Sequence, residues 1–321
     1  MYFFINLIIT GFLFLIPINL MAANSFPEKP IRLIIPVSPS GGTDRMGRLF
    51  GEKFSRKTSQ PVIIDNRTGA GGNIAGEILY KSPADGYTLM FTSSAPLVIN
   101  KSLYRNLTYN PNNFEPVSIF ANLPLVLAAN YNVQPNNIKD LITFIKLSPT
   151  QLNYGSAGNG SISHLLAELF KSIANVNMAH IPYKGAAPAL VDMLGGRIHI
   201  MFVELNSALP HVHQKKIKVF AVVNNKSVSL LPEVPLIKDF FPDFLATSWW
   251  GIVAPPNTSS KITNFISNST RDIISQNEVF KYMLDSNIES IGSTPEVMRD
   301  ILTKDRILWS KIIKNNNIQA D

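Results

Sequence analysis

Two stretches of this 321-residue chain place backbone donors where an anion can be held. Ile31-Arg-Leu-Ile-Ile-Pro-Val-Ser-Pro-Ser-Gly-Gly-Thr-Asp44 passes from an apolar run through a glycine turn into a helix start. Leu152-Asn-Tyr-Gly-Ser-Ala-Gly-Asn-Gly-Ser-Ile-Ser-His164 does the same. Apolar residues at helical spacing follow each turn: Met46, Leu49, Phe50 and Phe54, then Leu166, Leu169, Phe170 and Ile173. A helix N-terminus has unpaired N–H groups and a dipole that favours negative charge. The candidate contacts are therefore Ser40, Gly41, Gly42, Thr43 and Asp44 in the first turn, with Thr43 or Asp44 as helix cap. In the second they are Ser156, Ala157, Gly158, Asn159, Gly160, Ser161 and His164.

Magnitudes limit what such turns do alone. One helix N-terminus favours an anion by about 0.3–1 kcal/mol, and one hydrogen bond to a charged group contributes about 1.5–3 kcal/mol. Micromolar binding needs roughly 8 kcal/mol after the ligand is immobilised. Several donors from both turns, closing on one ligand, reach that figure, so a cleft between two lobes and a hinge are expected. Tyr183 and Lys184 follow the apolar run Val176–Ile181, where Lys184 either pairs a carboxylate or is simply solvated. Glu204 and Asn206 follow another run and can read a ligand's distal group.

Other chemistries fit poorly. The first turn lacks the Gly-Lys-Ser/Thr ending of a P-loop, and the second lacks the third glycine and the ribose-binding acid of a dinucleotide site. No Gly-x-Ser-x-Gly elbow occurs. His164 can pair on paper with Ser156, Ser161 or Ser163, but no acid is placed to orient it, so a Ser/His hydrolase is only an alternative. His164 is better read as donating a hydrogen bond to a ligand or capping a neighbour. His211-x-His213 lacks zinc-helix spacing, and the chain has no cysteine. No metal, cofactor or catalytic residue is expected. The net charge of +7 comes from scattered lysines and arginines without the clustering of a nucleic-acid reader.

The elements that must position these turns alternate. Ile31–Val37, Pro61–Asp65 and Tyr87–Thr92 read as strands, with helices after Asp44 and over Asn73–Tyr80. A second set begins near Leu125, with strands at 152–154, 176–181, 198–203 and 219–223, and helices at 137–147, 161–173 and 187–194. Alternation implies parallel strands with right-handed crossovers, and ligands beyond the strands' carboxyl ends. Thr294-Pro295-Glu296 is a helix start with proline at its first position. The length exceeds what one compact core usually covers. Residues 1–23 carry no charged side chain and end in Ala22-Ala23, which predicts an export signal peptide, with an uncleaved anchor as the competing reading.

Together these motifs resemble the substrate-binding proteins of tripartite tricarboxylate transporters, the Bug family. The resemblance rests on Lys29-Pro-Ile-Arg-Leu-Ile-Ile-Pro36, Gly41-Gly-Thr-Asp44, Asp65-Asn-Arg67 with Gly69-Ala-Gly-Gly-Asn73, and Ala84-Asp-Gly-Tyr87. It continues through Asn153-Tyr-Gly-Ser-Ala-Gly-Asn-Gly-Ser161 with His164, Ile181-Pro-Tyr-Lys-Gly185 and Leu194-Gly-Gly196. It implies an α/β, two-lobed, type II Venus-flytrap fold, each lobe a mostly parallel sheet flanked by helices. Lobe 1 would comprise residues 24–124 and 247–321, and lobe 2 residues 125–246. It implies a periplasmic monomer without enzyme activity that captures a small carboxylate and hands it to a membrane permease of one large and one small subunit. Both glycine turns would grip the carboxylate, partly through water, and Thr92 and Ser93 would face the cleft. A sensor role, presenting ligand to a signalling partner, is the alternative.

Two departures bear on selectivity. Ser40 stands where the family usually has the first of three glycines. Phe202-Val203-Glu204 stands where many members have Phe-Asp-Asn, so the acid that meets an amino group falls at Val203. That argues against an amino-acid ligand unless Glu204 substitutes, and leaves di-, tri- and aromatic carboxylates open.

Overall fold

The computed structural model of the chain describes residues 26–147, 152–224, 226–242, 244 and 248–320. The signal peptide expected over residues 1–23 lies outside the described residues, as does the lobe boundary expected at residues 246 and 247. The first half runs β1 (Ile31–Ile35), α1 (Gly42–Thr58), β2 (Val62–Asn66), α2 (Asn73–Tyr80), β3 (Thr88–Ser93), α3 (Asn100–Leu103), β4 (Glu115–Leu123), β5 (Leu125–Asn130) and α4 (Ile138–Leu147). Then come β6 (Asn153–Ser156), α5 (Ile162–Ala174), β7 (Ala179–Pro182), α6 (Ala186–Leu194), β8 (Ile200–Glu204), α7 (Leu205–His213) and β9 (Ile217–Val223). The remainder is β10 (Ser248–Ala254), α8 (Ser260–Ile274), α9 (Asn277–Asp285), β11 (Glu289–Ser290) and α10 (Pro295–Asn315).

The strands form two sheets, ordered β11-β4-β10-β3-β1-β2 and β7-β6-β8-β5-β9. The two-lobed α/β architecture is as expected, but each sheet is mixed rather than mostly parallel. β1 pairs in parallel with β2 and β3, and β6 with β7 and β8, because helices connect them as βαβ units. β10 runs antiparallel to β3 and β4, and β5 antiparallel to β8 and β9. These are the strands by which the chain changes sheet. Pro124 alone separates β4 from β5, and a residue without an N–H suits a point where one ladder ends.

Strand alternation distributes the core. Ile34 and Met90 of the first sheet share one apolar cluster with Leu127, Tyr154 and Phe202 of the second, joined by Phe170 of α5 and Leu302 and Trp309 of α10. The opposite face of the first sheet packs on α1 and α8 through Phe50, Phe54, Phe91, Phe120 and Ile266, with Phe50 and Phe54 stacked at 5.2 Å. The opposite face of the second buries Val126, Met201, Val203 and Val222 under Met193 of α6 and Ala208 of α7.

The caps obey local chemistry. Thr294 accepts the N–H of Val297, with Pro295 at the first helical position of α10. The strand expected from Val176 begins only at Ala179. Asn175 closes α5 in the left-handed conformation, at φ 50°, and the Val176 N–H still serves the helix by bonding the Lys171 carbonyl.

Candidate functional site

The first glycine turn is braced by one carboxylate. Gly41 is the N-cap of α1 and lends no side chain, so neither Thr43 nor Asp44 caps the helix as expected. Asp44 instead reaches back and accepts the Ser40 N–H at 2.9 Å. It also accepts Arg48 Nε and Asn66 Nδ2, each at 2.8 Å. Burial pushes the Asp44 carboxyl up, but these bonds outweigh it and hold the pKa below the usual value. Asp44 is 2% exposed, and its carboxylate is committed to bracing the turn. Trp250 donates from Nε1 to Thr43 Oγ1 at 2.9 Å, and a Cβ on Gly42 would lie 3.1 Å from its ring. Gly42 therefore admits the indole as well as any ligand. Ser40 has φ 75°, a conformation that favours glycine, which gives the departure at this position a backbone meaning.

The second turn uses most of its donors on itself. Ala157 N donates to Ser163 Oγ at 2.9 Å, Gly158 N to Ser156 Oγ at 3.1 Å, and Ser161 Oγ to the Gly158 carbonyl at 2.7 Å. Gly160 N donates to His164 Nδ1 at 3.0 Å, so His164 positions the turn rather than donating to a ligand from that nitrogen. Burial first, and the neighbouring His180 second, push the His164 pKa down to about 4. The ring is neutral at pH 7, as an acceptor must be. It stacks on His180 at 4.0 Å, and His180 stacks on Tyr154 at 4.8 Å. Glu168 accepts the Tyr154 hydroxyl and, at 2.7 Å, Lys171 Nζ.

A serine–histidine pair does form, but not the anticipated one. Ser156 Oγ lies 2.7 Å from His180 Nε2, on the neighbouring strand β7. Ser156 is fully buried, and Glu168 is committed to Tyr154 and Lys171 rather than to either imidazole. The arrangement has the form of a structural network under the turn.

Gly160 lies close against Leu103 of α3. Its φ is 72°, and a Cβ there would sit 2.2 Å from Leu103 Cδ2 of α3. Tyr183 N donates to the Ser156 carbonyl at 3.1 Å, so the Tyr183–Lys184 segment flanks the second turn as expected. The Tyr183 hydroxyl is committed to Asp192 at 2.7 Å, whereas Lys184 is exposed and without a partner among the described residues. Thr92 is fully buried and donates to the Ser93 carbonyl at 3.0 Å, while the half-buried Ser93 has its hydroxyl free among the described residues. Val203 is corrected outright. It is 2% exposed and packs beneath α6 and α7, so its side chain does not face the cleft; alternation gives that place to Glu204.

A cavity of about 420 Å³ brings the lobes together. Gly42, Arg45 and Trp250 line it from the first sheet and its helices, Glu204, Leu205 and Asn206 from the second. Sequence spacing alone does not single out Arg45. Its signal is there all the same: a cation in the first turn of a helix opposes the dipole, so its placement calls for another reason. Surrounding protein raises the Glu204 carboxyl pKa, while Arg45 opposes that shift.

The chain is similar along its length to known proteins. Residues 46–318 match the family described as tripartite tricarboxylate transporter family receptor. The protein BugT of Bordetella pertussis is 30% identical over 297 residues, spanning 92% of this chain and 91% of BugT. The UPF0065 protein of the tcbD-tcbE intergenic region of Pseudomonas sp. (strain P51) is 30% identical over 301 residues, 93% of this chain and 89% of that protein. Among solved structures, R. palustris Rpa4515 with adipate superposes with a TM-score of 0.78 at 30% identity, covering 92% of this chain and 99% of that one. The chain belongs to the tripartite tricarboxylate transporter receptor family, whose members are solute-binding proteins.

Proposed function

We propose that this receptor captures a small carboxylate between its lobes and delivers it to a permease of one large and one small subunit. The observation that carries the reading is the shared cavity, which sets the N-terminus of α1 at Gly42 against the carboxyl end of β8 at Glu204. The groups offered to a ligand are the Ser40 hydroxyl, Gly41, Gly42 and the Thr43 hydroxyl, which still has its own proton to donate, on one side and Asn159, Lys184 and Glu204 on the other, with Ser93 beside Trp250. Rpa4515, solved with adipate, supports a carboxylate as the ligand class. Lobes of residues 24–124 with 247–321 and 125–246 close about the strands β4, β5 and β10. Residues 1–23 direct export to the periplasm, where the chain works as a monomer and a binder rather than an enzyme.

Thermal shift of the purified chain against mono-, di- and tricarboxylates tests the reading. At least one carboxylate raises the unfolding temperature, and Gly158→Pro removes the response, because proline cannot adopt φ 123°. A complete panel without a shift overturns the assignment.

A further inference from the structure

We propose that Asn206 and Asn287 together set the length of carboxylate that the interlobe cavity admits. The inference rests on the carboxylate reading above and adds a size limit to it.

Two cavities share a wall. The one already described holds about 420 Å³, and beside it a groove of about 380 Å³ runs between the segment after β9 and the helix α9. Val228, Phe280 and Leu284 give the groove an apolar lining, whereas Arg45, Glu204 and Asp285 make the first cavity polar. Pro124, Asn287 and Ile288 line both spaces and form the partition between them.

A pair of amide side chains completes that partition. Asn206 donates from Nδ2 to the Ser286 carbonyl and accepts Asn287 Nδ2 at 3.1 Å. The bonds join α7, which packs on the second sheet, to the turn between α9 and β11 of the first. Asn206 is thus committed across the cleft, although its place after β8 suggests a reader of the ligand's distal group.

Both asparagines stand on fixed helix ends. Asn206 is the second residue of α7, and the Leu205 N–H before it donates to the Pro124 carbonyl at 3.0 Å. Asn287 follows the last turn of α9 at φ 52°. Its N–H donates to the Leu284 carbonyl at 2.9 Å, and the Ile288 N–H to the Met283 carbonyl at 2.8 Å. Those two bonds define a helix end closed by a left-handed residue, a place that suits asparagine or glycine. A wall rooted in two helix ends keeps its position when a ligand presses on it.

A carboxylate anchored at the α1 N-terminus extends its far end into this space. A chain that fits the cavity leaves the bridge intact. A longer one must break the amide bonds before its tail reaches the apolar groove, and it forfeits their contribution. Selection by length then comes from the cost of opening the bridge and needs no contact between the bridge and a favoured ligand.

Calorimetric titration of the full chain with two homologous series tests this: α,ω-dicarboxylates from succinate to sebacate, and n-alkanoates from butyrate to decanoate. In the wild type, affinity in at least one series falls tenfold or more beyond a limiting length. Asn206→Ala and Asn287→Gly each carry that limit to longer members and leave the shorter ones bound as in the wild type. Alanine suits a helix position and glycine a left-handed one, so both variants keep the fold, which circular dichroism verifies. A general loosening weakens every member alike, and that result sinks the inference. So does a wild type without a limit, or a limit that stays in place in both variants. In each of these cases carboxylates still bind and the reading above survives. If no member of either series binds and the wider carboxylate panel is also silent, both fail.

Discussion

The two glycine turns share one strand–turn–helix pattern and are held in opposite ways. The Ser40–Asp44 turn is braced from outside, by a carboxylate that ties Ser40, Arg48 and Asn66 together. The Gly155–His164 turn is braced from within, its serines and His164 closing on its own N–H groups and carbonyls. A run of hydroxyls and glycines is therefore no count of the donors that a ligand meets. The first turn presents its helix end to the interlobe cavity, whereas the second gives up most of its donors to keep its shape.

Substituting glycine in each turn should separate them most widely. Gly160→Ala adds a Cβ against Leu103 at a positive φ, so about 3 kcal/mol of stability should be lost. Gly41 has φ −72°, and a Cβ there would meet no atom nearer than 3.7 Å, so Gly41→Ala should lose no more than about 1 kcal/mol. Denaturant unfolding measures both. Equal losses would mean that the second turn is not clamped to α3, and Leu103→Ala should recover part of the Gly160→Ala deficit.

Acid should then loosen the turns in different windows. His164 prefers the neutral form in the folded state, at a pKa of about 4 against 6.5. The unfolded chain therefore binds the extra proton first, and stability falls as pH drops from about 6.5 toward 4. The loss from this residue is up to about 3 kcal/mol. Asp44 has its carboxyl held low, so its contribution persists above 3.8 and is lost only as pH falls through the lower folded value. Stability curves for the wild type and His164→Gln should diverge between pH 6.5 and 4 in slope. Parallel curves would remove His164 as the source.

Asp44→Asn should act on the first turn alone, by about 1 kcal/mol. The amide keeps one acceptor but loses the charge that Arg48 meets, and Arg48 is half exposed, so solvent screens the pair. Ligand affinity should fall several-fold, because the first turn then holds its helix end less firmly. A loss as large as that of Gly160→Ala would show that the brace holds more than its own turn.

How much of this could be read from the chain follows from how local each feature is. Both turns, their helices and the cap at Thr294 depend on residues a few positions apart, so pattern and turn chemistry reached them. The pairing of Ser156 with His180 depends on the register of β6 with β7, which no spacing reveals. Whether Val203 or Glu204 meets the cavity depends on which face of β8 the helices α6 and α7 cover. Arg45 acquires meaning only when the second lobe brings Glu204 to the same space. The mixed sheets were hidden for the same reason, since the direction of β10 is set by where the returning chain enters.

Ser40 offers the finest comparison of conformation with contact. A residue with a Cβ at φ 75° is strained by about 1–2 kcal/mol, while glycine gives back about 0.5–1 kcal/mol through its freer unfolded chain. Ser40→Gly should therefore stabilise by about 0.5–1 kcal/mol, visible as a small rise in unfolding temperature. Ser40→Ala keeps the strain and removes only the hydroxyl, so it isolates the side chain. If Ser40 touches the ligand through its hydroxyl, both variants lose affinity and only the glycine variant gains stability. If the position matters through its backbone, alanine leaves affinity unchanged and glycine alone alters it. A glycine variant no more stable than the wild type would mean that the Ser40 N–H bond to Asp44 already compensates the strain, and that the brace, rather than the residue type, sets the shape of the first turn.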